Sequence, residues 1–310
     1  MKDELDHLID TARAWLGEGR GVAIATVIET WGSAPRRRGS HALIRDDGLF
    51  EGSVSGGCVE GDLLLRAQEI ATLGGFERRD YGVADDSAWQ VGLACGGEIS
   101  VFVQALAPDA FAPALIARIA ASRADGRELV LSTDLATGIT REGAVEGAFI
   151  NAYPPRLRMM IVGAVHIAQA LVPLATIAGF QPLIVDPRDG FAAAARFDGV
   201  SVDPRWSDEA LADWRIDSGS AVITLTHDPK IDDPALIAAL RSDAFYIASL
   251  GSRRTHAKRC ERLAAAGFDQ AAIDRVQGPA GLSIGAANPA EIAVSILAGA
   301  IAALRKPQAR

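Results

Sequence analysis

Cysteine is scarce in this chain: three residues in 310, with no disulfide-like spacing among them. A disulfide framework is thereby excluded, and thiols left free point to a reducing compartment. Long apolar runs are missing as well. Each Val-, Ile- and Leu-rich stretch is broken by Gly, Pro or charge before it reaches the ~20 residues a membrane-spanning helix needs. Positive charge is in deficit, with 31 Lys and Arg against 39 Asp and Glu, so the net charge is −8. That balance argues against nucleic acid or a membrane surface as a partner, and any anion site must be local. The opening residues, Met1-Lys2-Asp3-Glu4-Leu5-Asp6, lack the basic and apolar regions of a signal peptide, and the cytoplasm is the expected location. No His-Glu-x-x-His helix, paired Cys-x-x-Cys signature or Ser-centred nucleophile elbow occurs, nor any internal repeat.

What the chain does hold is an apolar fraction of 49% with 23% charged residues, enough for a sizeable core and, at this length, for two domains. Two of its cysteines sit in glycine-rich passages, Ser53-Val54-Ser55-Gly56-Gly57-Cys58-Val59-Glu60-Gly61 and Ala94-Cys95-Gly96-Gly97-Glu98. A Gly-Gly pair turns freely and lets backbone N–H groups approach a ligand closely. The first passage runs into a helical pattern (Val59, Leu63, Leu64, Ala67, Ile70, Ala71), which puts Cys58 near a helix N-terminus. There the dipole and unpaired amides lower a thiol's pKa and favour anions. The plainer alternative is two inert cysteines beside ordinary turns; the repetition of the setting favours function. The matching residues are Ser55, Gly56, Gly57, Cys58, Cys95, Gly96 and Gly97. One of Arg36, Arg37 and Arg38 could add a phosphate contact facing the thiols. Cys260, mid-helix among charged residues, reads as structural.

The first half reads as α+β: a helix over 5–16, strands over 22–30, 42–45 and 49–54, the helix after Cys58, and a strand over 98–104. A helix over 111–123 and strands over 128–133 and 147–153 follow. Pro154-Pro155 is the best break in the chain. Beyond it strands (158–163, 182–186, 221–226, 244–250) alternate with helices (167–178, 234–241, 254–266), the pattern of a parallel sheet covered on both faces. A last helix over 289–304, apolar on most sides, is expected in a seam between domains or subunits, which makes a homodimer reasonable. The fold class expected is α/β, with an N-terminal α+β domain (1–155) and a Rossmann-like parallel-sheet domain (156–310).

Where the first of those later strands meets its helix stands Ile161-Val162-Gly163-Ala164-Val165-His166-Ile167-Ala168, and Asp186 ends the next strand. Position and acid fit the dinucleotide-binding fingerprint. Val165 does not, because its branched Cβ stands where the backbone should approach a pyrophosphate, and this argues against NAD. His166 and His227-Asp228 fall on the carboxyl edge of the sheet, where such sheets bind ligands; filling a polar loop is an equal reading for them.

Gly32-Ser33-Ala34-Pro35-Arg36, the Cys58 passage and Cys95-Gly96-Gly97 together resemble the N-terminal domain of the XdhC/CoxI family. The turn Val162 to Ala168, Thr226-His227-Asp228, Leu250-Gly251-Ser252-Arg253-Arg254-Thr255, Gly281-Leu282-Ser283-Ile284-Gly285-Ala286 and Pro289-Ala290-Glu291-Ile292 resemble its C-terminal Rossmann domain. The resemblance spans nearly the whole chain. It implies an accessory chaperone, not an enzyme, that transiently binds the molybdenum cofactor (molybdopterin) while a cysteine desulfurase sulfurates it. The client would be xanthine dehydrogenase or a related molybdenum hydroxylase. A cofactor-biosynthesis or nucleotidyltransferase protein is the implied donor. Under this reading Cys58 and Cys95 contact the metal, while Arg36, Gly163, His166 and Asp186 join the glycine loops as cofactor contacts. Two alternatives stay open: an NAD(P)-dependent oxidoreductase, and a thiol or persulfide-transfer enzyme using Cys58.

Overall fold

The computed structural model describes residues 3–32, 36–57, 59–82, 97–191, 196–197 and 199–306. The chain divides into two compact units, Glu4–Pro154 and, apart from the first three residues, Pro155–Arg310.

The N-terminal unit is built on a five-stranded antiparallel sheet, with strands β1 (Val22–Trp31), β2 (His41–Arg45), β3 (Phe50–Gly52), β4 (Phe76–Tyr81) and β5 (Glu98–Ala105) in the order β3-β2-β1-β5-β4. β1 and β5 lie centrally and are covered on both faces, so they read as near-continuous apolar runs. Helix α2 (Glu60–Leu73) lays Leu63, Ala67 and Ile70 on one face, against Ala23, Ala25, Val101 and Val103. Helix α1 (Glu4–Gly17) covers the other face with Leu8, Ile9, Ala12 and Trp15, joined by α3 (Pro113–Ala124) through Ile116 and Ile119. A small antiparallel sheet, β7-β6-β8, completes the unit from β6 (Leu129–Asp134), β7 (Ile139–Glu142) and β8 (Phe149–Tyr153).

The C-terminal unit is a parallel six-stranded sheet, β11-β10-β9-β12-β13-β14, made by β9 (Arg158–Val162), β10 (Gln181–Val185), β11 (Val202–Asp203), β12 (Ser220–Thr224), β13 (Tyr246–Ser249) and β14 (Val276–Gln277). This is the expected Rossmann-like arrangement, and the strand order reverses direction between β9 and β12. Helices α4 (His166–Ile177) and α9 (Pro289–Arg305) bury one face of it. The other face is covered by α5 (Ser207–Trp214), α6 (Pro229–Leu240), Leu263 of α7 (Arg253–Ala265) and Ile273 of α8 (Gln270–Ile273).

One expectation is corrected here. Helix α6 begins at Pro229, five residues earlier than the pattern suggested, because Asp228 caps it by accepting from the Lys230 amide and proline is tolerated at a first helical position. Helix α9 keeps part of its apolar surface open. Ala293, Ile296 and Ala300 pack on α4 within the same unit, while Val294 and Ile301 stay 47% and 38% exposed. Among the described residues no helix is long and apolar enough to cross a membrane.

Candidate functional site

The glycine passage after β3 is a sharp, locally tied loop. Gly56 and Gly57 hold φ of 78° and 114°, conformations a side-chain-bearing residue resists, and nothing occupies the space a Cβ on Gly57 would take. Two serines fix its course: the Ser53 hydroxyl accepts from the Gly56 amide at 2.8 Å, and the buried Ser55 hydroxyl accepts from the Val59 amide at 3.0 Å. Val54 and Val59 anchor either end in the core, and α2 starts directly after.

Strand register decides what lies near this loop. β3 runs in the same direction as β1, since both are antiparallel to β2. Trp31 at the end of β1 pairs with Glu98 at the start of β5, and Tyr81 at the end of β4 pairs with Ile99. Gly32 and Gly97 therefore share one end of the sheet, while Gly52, level with Ala25 through Ala42, leads into the glycine loop six residues short of Trp31. Cys58, Cys95 and Gly96 fall outside the described residues, and so does the metal role expected of the two thiols. Among the described residues no cluster of metal-ligating side chains forms.

Arg36 is engaged elsewhere. Its two terminal nitrogens donate to the Glu4 carboxylate of α1 at 3.0 and 2.8 Å. Its neighbour Arg38 donates to the Ile28 carbonyl and lies over the Phe149 ring. There a cavity of about 440 Å³ is lined by Arg38, Glu29, the half-exposed Trp31 and Phe149. Sequence reasoning missed this cavity, because its walls come from β1, β8 and the connections beside them, and no single motif contains them.

A second missed feature ties α2 to the end of β4. The Asp62 carboxylate accepts from Arg79 at 2.5 Å and from the Tyr81 hydroxyl at 3.0 Å. The Arg79 hydrogen bond, aided by that from Tyr81, holds Asp62 below the usual carboxylate range. Burial, with Asp62 adding to it, pushes Tyr81 up to about 12. The acid thus stays ionised and the phenol stays protonated across ordinary pH, which keeps the tie intact.

In the C-terminal unit the turn from β9 into α4 is closed from within. Gly163 has φ of 111°, and a Cβ there would lie 2.7 Å from the Thr226 methyl. Asp186 is fully buried. Its carboxylate accepts from the Ala164 amide at 2.8 Å and from the Arg188 guanidinium at 2.8 and 2.7 Å. Burial alone would raise its pKa, but those hydrogen bonds outweigh it and hold the group below its ordinary value. The Ala164 carbonyl accepts from Arg196. Val165 is the N-cap of α4 and offers no side-chain cap, and His166 after it is exposed. The structure thus brings Gly163 and Asp186 together, as the fingerprint implied. It directs the acid onto the turn itself.

Comparison with known proteins covers both units. Residues 15–82 match the model described as the XdhC and CoxI family, and residues 159–299 match that of the XdhC Rossmann domain. The molybdenum cofactor insertion chaperone PaoD of Escherichia coli (strain K12) is 30% identical over 307 residues, spanning 96% of this chain and 88% of that protein. A probable xanthine dehydrogenase subunit of Bacillus subtilis (strain 168) is 24% identical, over 92% of this chain and 94% of the relative. A crystal structure described as a xanthine dehydrogenase from Bacillus halodurans superposes with a TM-score of 0.76 at 25% identity, covering 100% of this chain and 97% of that one. Matched at this identity through nearly its whole length, and by both family models in order, the chain belongs to the XdhC and CoxI family.

Proposed function

We propose that this protein is a carrier of the molybdenum cofactor: an accessory factor that binds molybdopterin transiently, supports its sulfuration by a cysteine desulfurase, and inserts it into a molybdenum hydroxylase. Xanthine dehydrogenase is the preferred client, and a cofactor-biosynthesis or nucleotidyltransferase protein the donor. The observation that carries the proposal is the match to an insertion chaperone across 96% of the chain.

The residues present fit the cargo. Molybdopterin bears a phosphate, and the loop at Gly56 and Gly57 offers two left-handed glycines, open space above Gly57 and a helix start directly behind. Consecutive amides in such a turn form an anion-binding concavity. The thiols of Cys58 and Cys95 are soft ligands suited to molybdenum and sulfur. In this reading Ser53 and Ser55, which accept from the Gly56 and Val59 amides, hold the loop in shape, and the open space above Gly57 admits the phosphate. No dinucleotide is assigned to the turn at Gly163: Val165 crowds the pyrophosphate position, and the Ala164 amide is already spent on Asp186.

The protein purified from cells that make molybdopterin is expected to carry it, detected as the fluorescent oxidised pterin comigrating with the chain. Cys58→Ala should lower the pterin content about tenfold, a loss of about 1.4 kcal/mol of binding, with the fold unchanged. Deleting the gene should leave the client hydroxylase made but without molybdenum or its sulfido ligand. A fully active, sulfurated client in cells lacking this protein and any paralogue would end the proposal.

A further inference from the structure

The carboxyl edge of the parallel sheet carries a second concavity, formed by none of the residues assigned above. A cavity of about 260 Å³ opens along α7, with His227 and Asp232 on one side and Arg254, Lys258, Arg259 and Arg262 on the other. In a protein of net charge −8, four cations on one wall form a local exception.

Helix geometry accounts for the wall. Arg254, Lys258 and Arg262 recur every fourth residue and so share one face of α7, with Arg259 beside them. Arg262 is occupied, donating to both oxygens of Asp233 at 2.5 and 2.9 Å. Among the described residues the exposed side chains of Arg254 and Lys258 have no protein acceptor. Arg259 forms the inner part of the wall and is 2% exposed. Its Nη2 donates to the Leu250 carbonyl at 2.8 Å and its Nη1 lies 3.4 Å from His256, but its Nε is buried with no partner. A buried guanidinium N–H left idle is rare in folded proteins and asks for an acceptor.

The carboxylate closest to hand does not supply one. Asp232 is buried, takes the Thr226 hydroxyl at 2.7 Å, and is pushed by burial towards its neutral form. Opposite, His227 is one of only two non-glycine residues at positive φ among those described. At the start of α7 the Ser252 hydroxyl caps the Thr255 amide at 3.1 Å, and the remaining first-turn amides add partial positive charge at the same end.

We propose that this pocket binds the phosphate group of a small phosphorylated molecule, with Arg254, Lys258 and Arg259 as its cationic wall. The volume falls short of the ~300 Å³ at which pockets for drug-sized ligands begin, so it suits a phosphate carrying at most a sugar-sized ring. Its cationic wall belongs to α7 and not to the β9–α4 turn where this fold class ordinarily receives a pyrophosphate; Thr226, beside His227, packs on Gly163 of that turn. It does not depend on the carrier reading, because it is built within the C-terminal unit from residues that reading does not use.

The test is calorimetric titration of the full-length protein with ribose 5-phosphate, inorganic phosphate and, as control, ribose, each to about 10 mM. Saturable one-to-one binding of ribose 5-phosphate, absent for ribose, is expected. An equal response to inorganic phosphate identifies free phosphate as the ligand, and a weaker one identifies the phosphorylated sugar; either supports the site. The double variant Arg254→Gln/Lys258→Gln touches only exposed side chains, so its melting temperature without ligand should match the parent while its affinity drops at least about tenfold. Arg259→Gln should also weaken binding, and the surface pair keeps the test decisive if that variant fails to fold. Absence of saturation with both phosphates, or undiminished affinity in the double variant, overturns the proposal.

Discussion

His41 shows how much a single buried side chain sets in this protein. Its Nε2 lies 3.2 Å from the Asn151 amide nitrogen and 3.1 Å from the Tyr153 hydroxyl, and its Nδ1 lies 2.9 Å from the Thr26 hydroxyl. An amide nitrogen can only donate, so Nε2 accepts, and the ring is the neutral tautomer with its proton on Nδ1. Burial lowers its pKa to about 4, and protonating Nε2 would set two donors against each other. The folded value lies below the unfolded value near 6.5, so the stabilisation is complete above pH 6.5 and is lost as pH falls towards 4. The difference is worth about 3 kcal/mol. His41→Gln is expected to cost about 1–3 kcal/mol at pH 7, and its deficit relative to the parent should shrink steadily in urea unfolding between pH 6.5 and 4. A pH-independent deficit would refute the assignment. None of this was legible in the sequence, where His41 precedes an ordinary strand and its partners lie 15 and more than 100 positions away. Gly56 and Gly57 were legible, since glycine pairs announce positive φ directly. Asp186 was legible by place only; that Arg188 and the Ala164 amide absorb its charge depends on a packing that no spacing rule encodes.

Among the elements, those with an apolar face were readable and those without were not. β1, β5 and the strands of the parallel sheet carry Val and Ile runs because both faces are covered. β4, Phe-Glu-Arg-Arg-Asp-Tyr, was missed: it is an edge strand whose side chains pair with charges instead of entering a core, so no period of two in hydrophobicity marks it. Short α5 was lost for a related reason, with only Ser207, Ala210 and Leu211 buried. Helix α9 offers a test of how closely an element is seated. Gly299 lies mid-helix, where alanine would ordinarily gain about 1 kcal/mol of helix propensity. A Cβ there would stand 2.6 Å from the Tyr246 hydroxyl of β13, on a rigid ring that bonds to Gln277. Gly299→Ala is therefore expected to lower the melting temperature by several degrees, corresponding to about 1–3 kcal/mol. A rise would mean that α9 has room to move.

At the scale of the whole molecule, each hydrophobic cluster formed by the described residues stays within one unit. The clusters around β1 and β5 draw only on residues of Glu4–Pro154, and those around β9 and β12 only on Pro155–Arg310. A core confined to its unit can sustain that unit alone. Residues 155–306 produced separately are expected to unfold cooperatively on heating, with near-ultraviolet circular dichroism showing fixed packing. A molten, non-cooperative product would show that the second core depends on the first unit. The closed turn between β9 and α4 has a consequence for how this unit can change over evolutionary time. Replacing Val165 by glycine would leave the Ala164 amide committed to Asp186, and Arg188 would still hold that carboxylate inward. Loosening Arg188 would leave a buried acid short of partners. Asp186 and Arg188 are thus bound to change together, since altering either one alone costs the turn its stability.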